Sequence, residues 1–123
     1  MQIRKAQESL DAAELCYEHK LYNSTASRAY YAMFQAAVVA LELAGVLPDA
    51  DMWSHKGLQS KFAFELVHRR KIYPRELTAM LSEGLNMRNS ADYSDGSVSE
   101  RMAGKSLRWA REFVGQVQKV SEG

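Results

Sequence analysis

The sequence contains 123 residues, of which 46% are hydrophobic and 25% are charged, and this balance predicts a single globular domain, residues 1–123, with one core. The formal net charge of +1 argues against a protein whose whole surface binds nucleic acid, although it allows a local basic patch. The single cysteine, Cys16, excludes an internal disulfide and a cysteine-based zinc site, and without a signal peptide at its start the chain is expected in the cytoplasm.

The first half of the chain predicts two helices. Residues 2–19 place apolar side chains at alternating three- and four-residue steps, which is typical of an amphipathic helix. Residues 23–44 are apolar almost all the way round, which predicts a helix at the centre of a bundle, with Asn23 or Ser24 available to cap it. Because polar residues interrupt the longest apolar stretch, we interpret it as a buried helix and expect no membrane span.

The second half of the chain predicts three more helices. One covers residues 55–70 after a serine that can cap it, and Pro74 fits the first turn of the next. The loop over 94–100 ends in a capping box, Ser97 with Glu100. The fifth helix is expected to bury five large apolar side chains: Met102, Trp109, Phe113, Val117 and Val120. Since no segment alternates with period two, the sequence predicts an all-α bundle of four or five helices.

The second helix carries polar side chains along one line of its surface, at offsets of three, four or seven residues: Ser24, Arg28, Tyr31, Gln35 and Glu42. One interpretation is a buried network in which Arg28 pairs with Asp92 or Glu42, and the tendency of buried polar groups to satisfy one another favours it. The other interpretation is a polar groove that opens to a ligand or to a second chain.

Arg88 and Asp92 allow two interpretations as well. Their four-residue spacing is that of an ordinary ion pair on a helix surface, worth about 0.2–0.5 kcal/mol. Both residues, however, continue the stripe of Leu81 and Leu85, and Gly84 removes a side chain where another helix could approach closely. A guanidinium held on that stripe could clamp a phosphate with two hydrogen bonds.

The remaining charged residues predict neither a metal site nor a cofactor. The three histidines, His19, His55 and His68, are scattered and have no second ligand at metal spacing, and no glycine-rich phosphate loop is present. The basic run over 68–71 is typical of a solvated helix end, with a phosphate-contacting patch as the alternative. The same two interpretations apply to the cations on the polar side of the fifth helix: Arg101, Lys105, Arg108 and Arg111.

Three segments, taken in order and spacing, resemble the HEPN-domain proteins, and in particular small single-domain bacterial and archaeal members of that family. They are LYNSTASRAYYAMFQAA (21–37), WSHKGL (53–58) and RNSADY (88–93). The resemblance covers essentially the whole chain. It implies an up-and-down bundle of four to five helices that forms a homodimer through its central helices. It also implies a nucleotidyltransferase partner, because many HEPN proteins form a toxin–antitoxin pair with one.

In the nuclease members of the family, an arginine, a polar residue and then a histidine cleave RNA without a metal ion. By this resemblance Arg88 matches the arginine, Asn89 the polar neighbour, and Tyr93 a tyrosine that the antitoxin modifies in some systems. This chain departs from the motif because Asp92 stands where the histidine is expected. An aspartate is ionised at neutral pH and donates a proton poorly, so Asp92 is expected to orient the arginine instead. His55 could supply the missing imidazole if it lies near the end of the fourth helix.

Three hypotheses about function follow. The leading one is an interaction-type HEPN homodimer that works with a nucleotidyltransferase and contacts RNA or a nucleotide through Arg28, Tyr31, Gln35, Asn89 and Tyr93. The second is a metal-independent ribonuclease toxin that uses Arg88 with Asp92 or His55. The third is an adaptor whose polar network only specifies how the helices pair.

Overall fold

A computed structural model of the chain, which describes residues 1–93 and 96–123, consists of helices, and the described residues contain no strand. The helices are α1 (Ile3–Glu18), α2 (Tyr22–Leu43), α3 (His55–Lys61), which continues into a π-helical segment (Phe62–Arg69), α4 (Glu76–Tyr93) and α5 (Glu100–Glu122). The predicted all-α bundle is therefore confirmed.

The helix α2 forms the centre of the bundle, as its apolar circumference predicts, because every other helix contacts it. Small side chains such as Ala29, Ala32 and Ala36 are fully buried along it and allow the neighbouring helices to approach closely. Larger side chains, including Tyr30 and Met33, fill the remaining space without any exposed surface. This buried helix carries most of the residues that the site requires.

The predicted third helix, residues 55–70, changes its hydrogen-bonding pattern halfway along. Ser54 caps its start as predicted, since its hydroxyl accepts a hydrogen bond from the amide of Gly57 at 2.9 Å. From Phe62 onward the turns widen into the π-helical segment, and the Phe62 ring stacks on that of Tyr73 with centroids 5.4 Å apart. Phe62 and Leu66 of this segment are fully buried in the core.

Two predicted helix caps are wrong. Neither Asn23 nor Ser24 caps α2, which begins at Tyr22; the side-chain oxygen of Asn23 instead accepts a hydrogen bond from the amide of Val98 at 2.8 Å. The cap of α5 is Ser99, the residue directly before the helix, whose hydroxyl accepts from the amide of Met102 at 3.2 Å. Ser97 lies two residues too early for this bond. The predicted loop over 94–100 includes Ser94 and Asp95, which lie outside the described residues.

The buried face of α5 is rotated from the one that its large apolar residues predict. Phe113 and Val117 are buried as expected, and Trp109 is partly buried. Met102 and Val120, however, are 45% and 40% exposed. Small side chains take their place in the core, since the inward stripe includes Ala103, Gly104, Ser106 and Ala110. Leu107 and Val114, which the predicted stripe omits, are buried on this face as well.

Within the described part of the chain, no helix combines the length and the apolarity that are needed to cross a membrane.

Candidate anion-binding site

Arg88 points from α4 toward α2, and three aromatic or acidic neighbours hold it there. Its Nε lies 3.1 Å from a carboxylate oxygen of Asp92, one helical turn further on, and its side chain is only 13% exposed. One of its terminal nitrogens donates to the hydroxyl of Tyr31 at 3.3 Å. The guanidinium carbon also lies 5.4 Å from the ring centre of Tyr31 and 5.7 Å from that of Tyr93. These contacts fix the arginine on a mostly buried platform.

The hydrogen-bonding capacity of Arg88 is not used up by these neighbours. The N–H at Nε is buried and lacks a hydrogen-bond acceptor in the described structure, so Nε and Asp92 form an ion pair by proximity without an aligned hydrogen bond. A buried guanidinium donor without an acceptor is unfavourable, roughly 1–3 kcal/mol for such a group. The surface that Arg88 keeps, 13% of its side chain, therefore lies elsewhere than at Nε.

Asp92 is held by two partners on different helices. The hydroxyl of Ser27 donates to one of its oxygens at 2.6 Å, while the other faces Arg88. Sequence reasoning missed Ser27, although its position four residues before Tyr31 places both on the same face of α2. Both oxygens of Asp92 are therefore engaged. That Asp92 orients the arginine stays a prediction.

Arg28 takes part in none of the ion pairs that the sequence predicts for it. Asp92 pairs with Arg88, and Glu42 contacts the N-terminal ammonium of Met1. Both predicted pairings of Arg28 are therefore wrong, because each carboxylate has a nearer cation. Arg28 is exposed, and no carboxylate in residues 1–93 or 96–123 lies within ion-pair distance of it. It presents an uncompensated positive charge beside Arg88.

Arg28 and Arg88 line the same cleft between α2 and α4, which we call the Arg88 cleft. Its volume is about 320 Å³, and its remaining walls are hydroxyl, amide and carboxylate groups, contributed by Asn23, Ser24, Ser27, Tyr31 and Asp92. Two guanidinium groups face one carboxylate in this cleft, so its local charge is positive. Guanidinium and hydroxyl groups together suit an oxyanion, above all a phosphate.

Two predicted ligand-binding residues lie away from the Arg88 cleft. Gln35 accepts a hydrogen bond from the Ser9 hydroxyl at 2.6 Å and lines a separate cleft of about 290 Å³ between α1 and α2. Asn89 is exposed and is not among the residues that line the Arg88 cleft. Arg28 borders both clefts and so connects them. Tyr93 ends α4 with its ring 75% exposed, next to Arg88.

His55 lies behind the Arg88 cleft, against α2, and does not line the cleft. Its Nδ1 is 2.7 Å from the hydroxyl of Tyr30, and its ring packs on Phe34 with centroids 5.2 Å apart. Burial, with a smaller contribution from the positive charge of Arg88, lowers the pKa of His55 below its usual range. The imidazole is therefore neutral at neutral pH.

Tyr30 hydrogen-bonds to one ring nitrogen of His55. The Tyr30 side chain is completely buried, and burial raises the pKa of its hydroxyl to about 12. Tyr30 therefore keeps its proton at neutral pH, and its hydroxyl shares a 2.7 Å hydrogen bond with Nδ1 of His55. The side chain of Gln59 also hydrogen-bonds to Tyr30. His55 thus takes part in a buried hydrogen-bond chain, and its Nδ1 is not available as a base.

The described residues contain no group of three histidine, cysteine, aspartate or glutamate side chains that could hold a metal ion. The chemistry available to the Arg88 cleft comes from its guanidinium, hydroxyl and carboxylate groups.

Comparisons with known proteins identify relatives along nearly the full length of the chain. The model of the HEPN domain matches residues 1–120. The chain is 32% identical to the protein of Methanocaldococcus jannaschii named "Putative toxin MJ0605", over 96% of this chain and 84% of that one. It is 33% identical to "Putative toxin MJ0142" of the same organism, over 74% of this chain and 58% of that one. The chain is 28% identical to the "UPF0332 protein glr0978" of Gloeobacter violaceus, over 91% of this chain and 92% of that one.

Proposed function

The chain belongs to the HEPN domain family, and from that premise we propose that it is the toxin-like member of a toxin–antitoxin pair. We propose further that its Arg88 cleft binds RNA through a backbone phosphate. Two relatives are named "Putative toxin", which supports the toxin-like role. The observation that carries the ligand assignment is the excess of guanidinium over carboxylate in the cleft: Arg28 and Arg88 against Asp92.

Phosphate recognition draws on both arginines in different ways. Arg88 is held by Tyr31, Tyr93 and Asp92, so little side-chain entropy is lost when it binds an anion. Arg28 has no competing carboxylate among the described residues and adds charge at the mouth of the cleft. The carboxylate of Asp92 repels an approaching phosphate, but the two guanidinium groups in the cleft outnumber it, and one of its oxygens already faces Arg88.

Binding fits the geometry better than cleavage does. Cleavage through the ribose 2′-hydroxyl needs a group that removes a proton and another that delivers one. Asp92 is engaged by Arg88 and Ser27, and the Nδ1 of His55 is hydrogen-bonded to the hydroxyl of Tyr30. Neither side chain is therefore arranged as a proton carrier next to the cleft. We propose that the chain binds RNA at this site without cutting it.

The test is the affinity for a fluorescent single-stranded RNA, measured by anisotropy. Arg28→Gln should weaken binding roughly ten- to hundredfold, because one charge-assisted hydrogen bond is worth about 1.5–3 kcal/mol. Arg28 is exposed, so this variant should remain folded. Arg75→Gln is the matched control, since Arg75 is 90% exposed and lies at the opposite end of α4. Equal affinities for wild type and Arg28→Gln would refute the proposed site.

The same preparation separates the rival functions. RNA cut without added metal, and left intact by an Arg88→Gln variant, would make the protein a ribonuclease and direct attention to His55 as the proton carrier. If Arg88→Gln lowers the unfolding free energy and the wild-type protein binds no RNA, the Arg88 pair serves only to hold the helices, as an adaptor would require.

We also propose that the protein acts in the cytoplasm as a homodimer with a nucleotidyltransferase partner, as the family resemblance implies. The exposed ring of Tyr93 supports this, because its hydroxyl is accessible to a modifying enzyme. Light scattering should give twice the mass of one chain. Co-expression with a nucleotidyltransferase encoded nearby should add a nucleotidyl group that mass spectrometry detects in the wild type and not in Tyr93→Phe. A monomer in light scattering, or an unmodified chain after co-expression, would contradict the corresponding part.

A further inference from the structure

A second groove lies between α4 and α5, on the side of α4 that faces away from Arg88. Its volume is about 270 Å³, and its walls include Glu83, Asn86, Met87, Met102, Lys105 and Trp109. With 3.6 residues per turn, the α4 residues of this list point roughly opposite to Arg88. We call this the Trp109 groove, and it is separate from the Arg88 cleft because the two share no residue.

The indole of Trp109 provides an aromatic wall that is held in place. The ring is partly buried and packs against the main core and against a smaller cluster that contains Met87 and Ala103. Met102, which is 45% exposed, is a second apolar wall of the same groove. A flat aromatic surface fixed beside a flexible methionine suits a flat apolar ligand such as a nucleobase.

Positive charges stand beside this aromatic wall. The ammonium of Lys105 lies over the Trp109 ring, 5.0 Å from its centre. Arg101 and Arg108 are exposed at four residues before and three residues after Lys105, on the same side of α5. None of the three forms an ion pair with a carboxylate that the structure describes. They are available to a phosphate attached to the stacked group.

The opposite edge of the groove offers hydrogen-bonding groups. Glu83 and Asn86 are exposed, one turn apart on α4, and neither has a hydrogen-bond partner in the described part of the chain. A carboxylate accepts from the amino group of a base, while an amide both donates and accepts. The groove thus combines a stacking surface, a cation and a polar edge, which are the three elements that bind an unpaired nucleotide.

We propose that the Trp109 groove binds one unpaired nucleotide, with its base stacked on Trp109 in the place that the Lys105 ammonium occupies. The edge of the base then lies against Asn86 and Glu83, and the displaced Lys105 binds the phosphate. The source of this nucleotide is the RNA strand held in the Arg88 cleft, and that part of the inference rests on the proposed function. A free nucleotide has the same chemistry, so the experiment compares the two sources.

The experiment uses the fluorescence of Trp109. The sequence has two tryptophans, so Trp53→Phe leaves Trp109 as the single reporter. In this background, adding an eight-nucleotide single-stranded RNA should quench the emission with a saturable curve, while AMP and UMP should leave it unchanged at the same concentration. Lys105→Gln should raise the Kd from quenching roughly fivefold, the equivalent of one unit-charge contact in water. Asn86→Ala should raise it as well, and Lys119→Gln, an exposed lysine in the last turn of α5, should not.

Each outcome decides between the parts of the inference. Quenching by AMP or UMP as strong as that by RNA would keep the nucleotide groove and overturn the RNA strand as its source. RNA that binds by anisotropy and depends on Arg28, yet leaves Trp109 emission unchanged, would overturn the groove and leave the proposed function intact. If neither Lys105→Gln nor Asn86→Ala changes the Kd from quenching, the proposed groove is overturned as well, since Trp109 would then report a remote change. A blue shift that grows with protein concentration alone would show that a second copy covers the groove, which contradicts the proposal.

Discussion

Removing the hydroxyl of Tyr30 tests the buried hydrogen-bond chain that fixes His55. The Tyr30→Phe variant keeps the ring, which has no exposed surface, and deletes the hydroxyl that lies 2.7 Å from Nδ1 of His55. It also deprives the Gln59 side chain of its partner. No cavity larger than one oxygen atom is created, so the change in stability comes almost entirely from hydrogen bonding.

The expected loss follows from the environment of the two groups. A lost hydrogen bond lowers the unfolding free energy by about 0.5–1.5 kcal/mol, and a buried acceptor left unpaired raises the loss to about 1–3 kcal/mol. His55 is only partly buried, so water can reach some of its ring. We therefore expect a loss of about 1–2 kcal/mol, which corresponds to a decrease in Tm of roughly 4–8 °C for a chain of this length.

Urea unfolding of a double-mutant cycle with Tyr30→Phe and His55→Ala measures the link directly. The cycle should give a coupling of about 1 kcal/mol. Tyr73→Phe is the matched control, because Tyr73 is also buried, burial raises the pKa of its hydroxyl to about 12, and that hydroxyl lacks a partner among the described residues. This control should be neutral or slightly stabilising. Additive effects in the cycle, or an equal loss in Tyr73→Phe, would refute the assignment of the Tyr30–His55 bond.

Three further predictions concern the same fold. The pKa of His55 is lowered in the folded state, so the unfolded state binds more protons below the ordinary histidine pKa of about 6.5. The unfolding free energy should therefore fall as the pH drops through that value, and it should fall less steeply in His55→Ala. Parallel pH profiles of the two proteins would contradict this. Gly115→Ala, at an exposed position of α5, should stabilise the protein by about 0.5–1 kcal/mol. The Gly84→Ala variant should be at least about 1 kcal/mol less stable than the Gly115→Ala variant, since a Cβ at Gly84 would lie 2.5 Å from the methyl group of the buried Met33. Equal urea midpoints for the two variants would contradict this. Ser99→Ala should lower the unfolding free energy by about 1 kcal/mol through loss of the α5 cap, and Ser97→Ala should not. A larger loss in Ser97→Ala than in Ser99→Ala, measured by urea unfolding, would instead support the capping box that the sequence predicts.

The fold could be predicted from the sequence because periodicity reports burial directly. The apolar circumference of residues 23–44 predicts the central helix, and the structure confirms the all-α bundle. The capping residues could not be chosen with the same success, since several polar residues precede each helix and tertiary contacts decide among them. Asn23, for example, bonds to the amide of Val98, which is distant in sequence. That residues 1–123 form one domain stays a prediction.

The candidate site was predictable along each helix and less so between helices. The four-residue spacing of Arg88 and Asp92 predicts an ion pair, which the structure contains. Of the two side chains only that of Arg88 is largely buried, since the side chain of Asp92 is 34% exposed. Helical spacing does not say which helix a side chain faces, so Gln35 lies in another cleft although it shares a line with Arg28. Ser27 was missed for the same reason, because its partner is on α4.

The salt dependence of RNA binding tests the Arg88 cleft most directly, because it counts the phosphate contacts that a side chain makes. For a single strand, each phosphate contact contributes about 0.7 to the slope of log K against log salt concentration. We predict that Arg28→Gln lowers the magnitude of this slope by about 0.7, while Arg75→Gln leaves it unchanged. A slope identical in wild type and Arg28→Gln would show that Arg28 contacts no phosphate, and it would contradict the proposal that RNA binds in this cleft.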